Sequence, residues 1–243
     1  MTFELRDVSF SYPGSQSTKP TLSNINLSIK PGQLVVIVGS NGSGKSTILT
    51  LLSRLYDPTS SPHSILVDGI PISRYCMADL RRATATLTQD HSLFPLSLGE
   101  NIGLGYADKV NETEMIDRSA EKGGASHCLK KLERGKETRL ARTFMRFETG
   151  NVRFVTVDEP TSALDSEGEF SLFDHLIQAR EGKTMIFVTH RFGHLTKRAD
   201  LVVCMKDGTI VEAGTHEELM VLEGEYAKLY NIQASAFFDD GPS

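Results

Sequence analysis

Long apolar runs are missing from this chain: no stretch approaches the roughly 20 residues that a membrane-crossing helix needs. Work at a membrane would therefore require something else to hold the protein there. Basic charge is not in excess either. The formal net charge is −5, from 26 Lys and Arg against 31 Asp and Glu, so no basic surface recommends nucleic acid as a partner. Cysteine is scarce: Cys76, Cys128 and Cys204 are odd in number, scattered and without metal-ligand spacing. That pattern suits reduced thiols in a cytosolic compartment. The opening MTFELRD does not have the layout of a signal peptide. Neither an internal repeat nor a low-complexity segment interrupts the chain, and only the tail after Ala234 reads as frayed end.

What is present fits a soluble globular protein. At 243 residues, 39% hydrophobic and 23% charged, the chain can bury the core of one large domain or two small ones. Phe3, Leu5, Val8 and Phe10, then Ile25, Leu27 and Ile29, predict antiparallel strands, with a turn at Lys30 to Gly32. QLVVIVG is a continuous apolar run, as expected of a strand buried on both faces. A helical pattern, KSTILTLLSRLY, follows it. Further strands are expected in SILVDG, TATLTQ, RFVTVDE and KTMIFVTH, with SEGEFSLFDHLIQAR helical between the last two. Strands alternating with helices predict a parallel sheet in an α/β fold. LVVCMKDGTIVEAG predicts a hairpin turning at Asp-Gly, and Thr215 with Glu218 forms a capping box for the next helix. The more polar region from Ser97 to Leu132 reads as a helical insertion. A helix is expected to start in NETE, Asn111 to Glu114, and Gly123-Gly124 would weaken any helix crossing them.

GSNGSGKST, Gly39 to Thr47, has the phosphate-binding loop pattern of Gly, four residues, then Gly-Lys-Ser. Gly39, Ser40, Asn41, Gly42, Ser43 and Gly44 let backbone N–H groups converge on phosphate oxygens, and the helix that opens there adds its positive end. Lys45 reaches the β- and γ-phosphates, and the Ser46 hydroxyl ligates Mg²⁺. A chance match is expected in about one chain in a hundred of this length. Here the motif also follows a buried strand and opens an amphipathic helix, which is the context it needs. Such a site requires a second carboxylate strand to hold the metal. RFVTVDEP supplies Asp158 and, directly after it, Glu159; one can face Mg²⁺ while the other orients water.

In order along the chain, these motifs make it resemble the nucleotide-binding domain of an ATP-binding cassette (ABC) transporter of the exporter kind, from Phe3 to about Tyr230. SFSYPG resembles the A-loop, which implies that Tyr12 stacks on adenine. TLTQD resembles the Q-loop, placing Gln89 at Mg²⁺ and the membrane domain. LFPLSLGENI is similar to the exporter segment that faces the transmembrane coupling helix. VDEPTSALD joins Walker B to the D-loop, ending at Asp165, and IFVTHR offers His190 as the histidine contacting the γ-phosphate. DGTIVEAGTHEEL matches the closing hairpin and helix. The resemblance implies a P-loop NTPase core with a mainly parallel sheet, an N-terminal antiparallel β subdomain and a truncated helical subdomain over about residues 97–146, all in one domain, 1–243. It also implies ATP and Mg²⁺ as cofactors, a second nucleotide-binding domain in a head-to-tail homodimer or heterodimer, an exporter's transmembrane domain, and a place on the cytoplasmic face of a membrane.

One family element is missing. LERGKETRLARTFMR, from Leu132 to Arg146, has a helical face of Leu140, Ala141, Phe144 and Met145. Thr138 is placed to cap it, yet Arg139 and Arg142 occupy its first turn, where the helix dipole favours negative charge. Family members carry a Leu-Ser-Gly-Gly-Gln type signature just before this helix, and nothing between Leu132 and Arg139 resembles Ser-Gly-Gly. The helix reads as one that has lost its start. A fragment or spliced form, an omitted exon, or a heterodimer half that relies on a partner's signature would each leave this gap. Weak ATPase activity is expected of the chain alone. Two other classes compete: an ATP-dependent regulatory switch outside transport, and a soluble cassette ATPase acting on ribosomes or DNA, which the acidic balance disfavours.

Overall fold

The computed structural model describes residues 1–87, 96–104, 111–122, 135–137, 152–158, 173–178, 180, 182–189 and 193–239. Two compact units emerge: 1–86 with 153–159 and 182–243, and 87–152 with 160–181.

The first unit holds two sheets. One has the order β2-β1-β4-β5, from β1 (Phe3–Phe10), β2 (Leu22–Ile29), β4 (Ile65–Val67) and β5 (Ile70–Pro71). Its strands pair antiparallel. The apolar residues of β1 and β2 each contain one step of three, Leu5 to Val8 and Leu22 to Ile25, which breaks the period of two. Asp7 and Asn24, both at φ 49°, absorb the extra residue at shifts in the ladder, so that Phe3, Leu5, Val8 and Phe10 all stay buried. Asn26 fastens the bulge, its side-chain amide donating to Asp7 Oδ1 at 2.8 Å and its oxygen accepting from the Asp7 N–H at 3.0 Å.

The second sheet has the order β10-β9-β3-β8-β7-β6, from β3 (Leu34–Gly39), β6 (Thr84–Leu87), β7 (Phe154–Asp158), β8 (Thr184–Val188), β9 (Leu201–Lys206) and β10 (Thr209–Gly214). From β9 through β7 the pairing is parallel, and β10 closes the edge antiparallel through Asp207-Gly208. All six residues of β3 are buried, as its unbroken apolar run requires. Thr184 satisfies polar groups at its lower end, accepting from Gly32 N at 3.1 Å and donating to Met1 O at 2.8 Å. Phe3 and Phe154 join the two sheets with ring centroids 4.3 Å apart.

Helices α1 (Lys45–Leu52), α2 (Met77–Ala83), α6 (Gly193–Thr196), α7 (His216–Val221) and α8 (Glu225–Asp239) complete this unit. The described residues of the second unit include α3 (Leu98–Gly103), α4 (Thr113–Lys122), a helical stretch over 173–178 (α5) and a 3₁₀ turn at Gly135–Glu137. Ser97 and Glu100 form a capping box on α3, and Lys136 Nζ reaches both carboxylate oxygens of Asp117 on α4, at 2.9 and 3.0 Å.

The α/β reading, with one antiparallel and one mainly parallel sheet, therefore holds. Three local expectations change. SILVDG joins the antiparallel sheet, because a short apolar run carries no pairing direction and Asp68-Gly69 turns it straight into β5. Lys30 to Gly32 does turn, with Gly32 at φ 75°, but it carries the chain from one sheet to the other, since β3 must lie in a sheet interior. The helix expected over KSTILTLLSRLY stops at Leu52: Arg54, at φ 49°, closes it with bonds from Arg54 N to Leu51 O and Leu55 N to Thr50 O, at 2.9 and 3.0 Å. The helix expected after Thr138, with Arg139, Arg142 and their apolar face, lies outside the described residues, as do Gly123-Gly124 and Asp165.

Candidate functional site: a phosphate-binding loop and its acidic strand

β3 ends on Gly39, and α1 begins at Lys45, its N-cap Gly44 in the left-handed region at φ 98°. The five residues between them form the loop. Its glycines are there for space as well as for backbone freedom. A Cβ on Gly39 would overlap the Met205 carbonyl oxygen, and one on Gly44 would come within 2.6 Å of Leu22 Cδ2. At Gly42, φ 76° with open space around it, the demand is on backbone angle alone.

Lys45 is only 5% exposed, and its ammonium donates to Gly39 O at 3.0 Å and Ser40 O at 2.9 Å. A buried ammonium needs such acceptors, and here they hold it folded over the loop, next to where a phosphate would bind. The Ser43 hydroxyl is buried and has no hydrogen-bond partner among the described residues. Ser46 Oγ donates to Asp158 Oδ1 at 2.9 Å, across 112 residues of sequence. The parallel sheet causes this meeting, since β3 and β7 both flank β8 and end on the same edge.

A hydroxyl and a carboxylate are hard oxygen donors of the kind Mg²⁺ takes, with phosphate and water supplying its other ligands. Among the described residues no group of three or more His, Cys, Asp and Glu could hold a metal by itself. Tyr12 lies at the loop's far side, its hydroxyl 3.3 Å from Thr47 Oγ1. Phe10 and Tyr56 both lie edge-on to the Tyr12 ring, with centroids 4.9 and 5.4 Å from it, and are tilted against each other at 5.6 Å.

Of the candidate residues, the structure brings together Tyr12, Gly39 to Thr47 and Asp158. Gln89, Glu159 and His190 lie outside the described residues. Sequence reasoning missed the support beneath the loop, from Met205, Gly208 and Thr21. The Asp-Gly pair marked a hairpin, but no local pattern says what a hairpin packs against.

A family model for ABC transporters matches residues 22–162, more than half of the chain. The chain belongs to the ABC transporter family. Among curated relatives, the ATP-dependent lipid A-core flippase of Vibrio vulnificus (strain CMCP6) is 34% identical over 242 residues, covering 94% of this chain and 40% of the flippase. The flippase of the same description from Escherichia coli (strain K12) is 34% identical over 243 residues, covering 95% and 41%. A solved bacterial Atm1-family ABC exporter with ATP bound superposes with a TM-score of 0.84 at 26% identity, covering 96% of this chain and 42% of that one. The chain thus spans about two fifths of the length of these ABC proteins. It corresponds to the nucleotide-binding domain of such exporters, and a regulatory cassette outside transport finds no support among them. No described helix is long and apolar enough to cross a membrane.

Proposed function

We propose that this ABC chain binds MgATP within one polypeptide and, in a complete head-to-tail dimer, hydrolyses it to drive an exporter from the cytoplasmic face of a membrane. The observation that supports it most directly is the Ser46–Asp158 contact at 2.9 Å beside a buried Lys45. In this reading Tyr12 stacks on adenine, and the backbone from Gly39 to Thr47 wraps the phosphates. Lys45 neutralises charge developing on the transferred phosphoryl group. Ser46, Gln89 and Asp158 would hold Mg²⁺, which when bound neutralises charge on the phosphate oxygens. Glu159 polarises the attacking water, and His190 steadies the γ-phosphate. The flippase and exporter relatives support a transmembrane domain and a second cassette as partners, the latter either identical or different.

The missing signature adds a finer proposal: hydrolysis by this chain as a homodimer is impaired. In a head-to-tail pair each γ-phosphate meets the partner's signature helix, with its N–H groups, serine hydroxyl and positive dipole end. Charge-assisted hydrogen bonds contribute ~1.5–3 kcal/mol each and the dipole up to ~2. Losing two bonds and the dipole removes about 4–6 kcal/mol, roughly 10³–10⁴ in closed-state stability.

Two measurements test the two parts. A fluorescent ATP analogue with Mg²⁺ should saturate the chain, and Lys45→Ala should abolish or greatly weaken that signal. No saturation, or indifference to the substitution, overturns nucleotide binding. ATPase activity should stay low as protein concentration rises; brisk turnover that Glu159→Gln removes would refute the impairment.

A further inference from the structure

Among the described residues, two Asp-Gly hairpin turns have nearly identical backbones. Asp68-Gly69 has φ of 47° and 78°, and Asp207-Gly208 has 49° and 77°. Their surroundings differ sharply. A Cβ on Gly69 would meet nothing within 4 Å, whereas one on Gly208 would lie 2.6 Å from Thr21 O.

That carbonyl belongs to the floor of the phosphate loop. Thr21 O also lies 3.1 Å from where a Cβ on Gly44 would stand, so it is wedged between the loop and the turn. Gly208 N donates to Ser43 O at 3.2 Å, and Gly208 O accepts from Ser23 N at 2.9 Å. One residue of the turn therefore bonds to the loop on one side and to the start of β2 on the other. At the loop's opposite end Gly39 packs against the Met205 carbonyl, two residues before the turn, and the methyl of Met205 lies 3.5 Å from a Cβ on Gly44. Both ends of the loop, Gly39 and Gly44, thus bear on β9 and its turn. A loop whose N–H groups must converge on an anion gains from having its carbonyls fixed elsewhere, because a peptide unit held at its oxygen cannot rotate its neighbours' N–H groups away.

We propose that Gly208 is a positioning residue for the phosphate loop: the Asp207-Gly208 turn braces Ser43 and Gly44 against Thr21, and nucleotide affinity depends on that brace. The proposal rests on the MgATP reading above. Only glycine fits at 208, for space as well as for backbone angle, so Gly208→Ala must displace the turn from Thr21 and loosen its bond to Ser43. Gly69→Ala imposes the same backbone strain in the same kind of turn without touching the loop.

The test titrates the fluorescent ATP analogue with Mg²⁺ into wild type, Lys45→Ala, Gly69→Ala and Gly208→Ala, with folded fraction checked by circular dichroism. Gly208→Ala should bind roughly tenfold more weakly, the scale of one lost hydrogen bond and its ordering. Gly69→Ala should keep near wild-type affinity even where its thermal stability falls. Equal losses in both glycine variants, or unchanged binding by Gly208→Ala, overturn the brace. No saturable binding by wild type, or none that depends on Lys45, refutes the MgATP reading, and the brace falls with it. Should Gly208→Ala not fold, amide exchange in the wild type decides: MgATP should slow exchange at Gly208 and leave the Asp68-Gly69 turn unchanged. Exchange at Gly208 that ignores the nucleotide overturns the proposal.

Discussion

His216, the first residue of α7, lies 2.7 Å through Nδ1 from the hydroxyl of Tyr226 on α8, and its ring packs tilted against Tyr230 with centroids 4.9 Å apart. Burial pushes the imidazole below its ordinary value of 6.5, opposed by Glu217 and reinforced by Lys197. Burial also pushes the Tyr226 phenol up to about 12, so it stays a neutral partner at any ordinary pH. The unfolded chain takes up a proton near 6.5 before the folded one does, so this contribution to stability is present above that pH and lost as pH falls toward the folded value. The melting temperature should therefore drop between about pH 7.5 and 5.5. In His216→Gln that part of the drop should vanish, which paired thermal melts would show. Lys45 and Ser46 were legible at this scale because the loop motif is a local pattern. The His216–Tyr226 pair was not, since no local pattern links the two residues and only the packing of two helices joins them.

Elements here are closed by devices of two kinds. Thr215 and Glu218 exchange bonds within four residues, Glu218 N to Thr215 Oγ1 at 3.3 Å and Thr215 N to Glu218 Oε2 at 2.8 Å. Such a box can be read directly from the sequence. Helix α8 is capped instead by Glu212 of β10, whose carboxylate accepts from Glu225 N at 2.6 Å and Tyr226 N at 3.0 Å. A carboxylate at a helix N-terminus satisfies free N–H groups and meets the positive dipole end. Gly224 leaves it room, because a Cβ there would overlap Glu212 Oε1. Glu212→Ala should cost about 1–2 kcal/mol, and Thr215→Ala about 1, both measured by urea unfolding. Ser97 and Glu100 show that a short box can also go unnoticed when its residues sit inside a family segment read for another purpose.

For the whole molecule, the proposed function divides gripping the nucleotide from firing it. The loop, Lys45, Tyr12 and Asp158 come from one chain, whereas the proposed signature contact to the γ-phosphate must come from a partner cassette. A mixed pair is therefore expected to behave unlike the homodimer. Adding an ABC cassette with an intact Ser-Gly-Gly signature and its own Walker B glutamate changed to glutamine should raise turnover by about 10³ or more. That turnover should disappear with Glu159→Gln in this chain. Steady-state phosphate release against partner concentration measures it, and a flat response would count against the mixed pair.

Spacing along the chain settled the phosphate loop, the acidic strand end, the closing hairpin and the α/β class, because each depends on residues within a few positions of one another. Tertiary structure alone set Ser46 against Asp158, placed β4 in the antiparallel sheet and put Gly208 beneath Ser43. The physical reason is range. Helix and strand periodicity, turn conformation and caps are short-range preferences, while which strand lies beside which follows from burying β3 on both faces. That burial carries the two strand ends, and the turn below them, to a common edge.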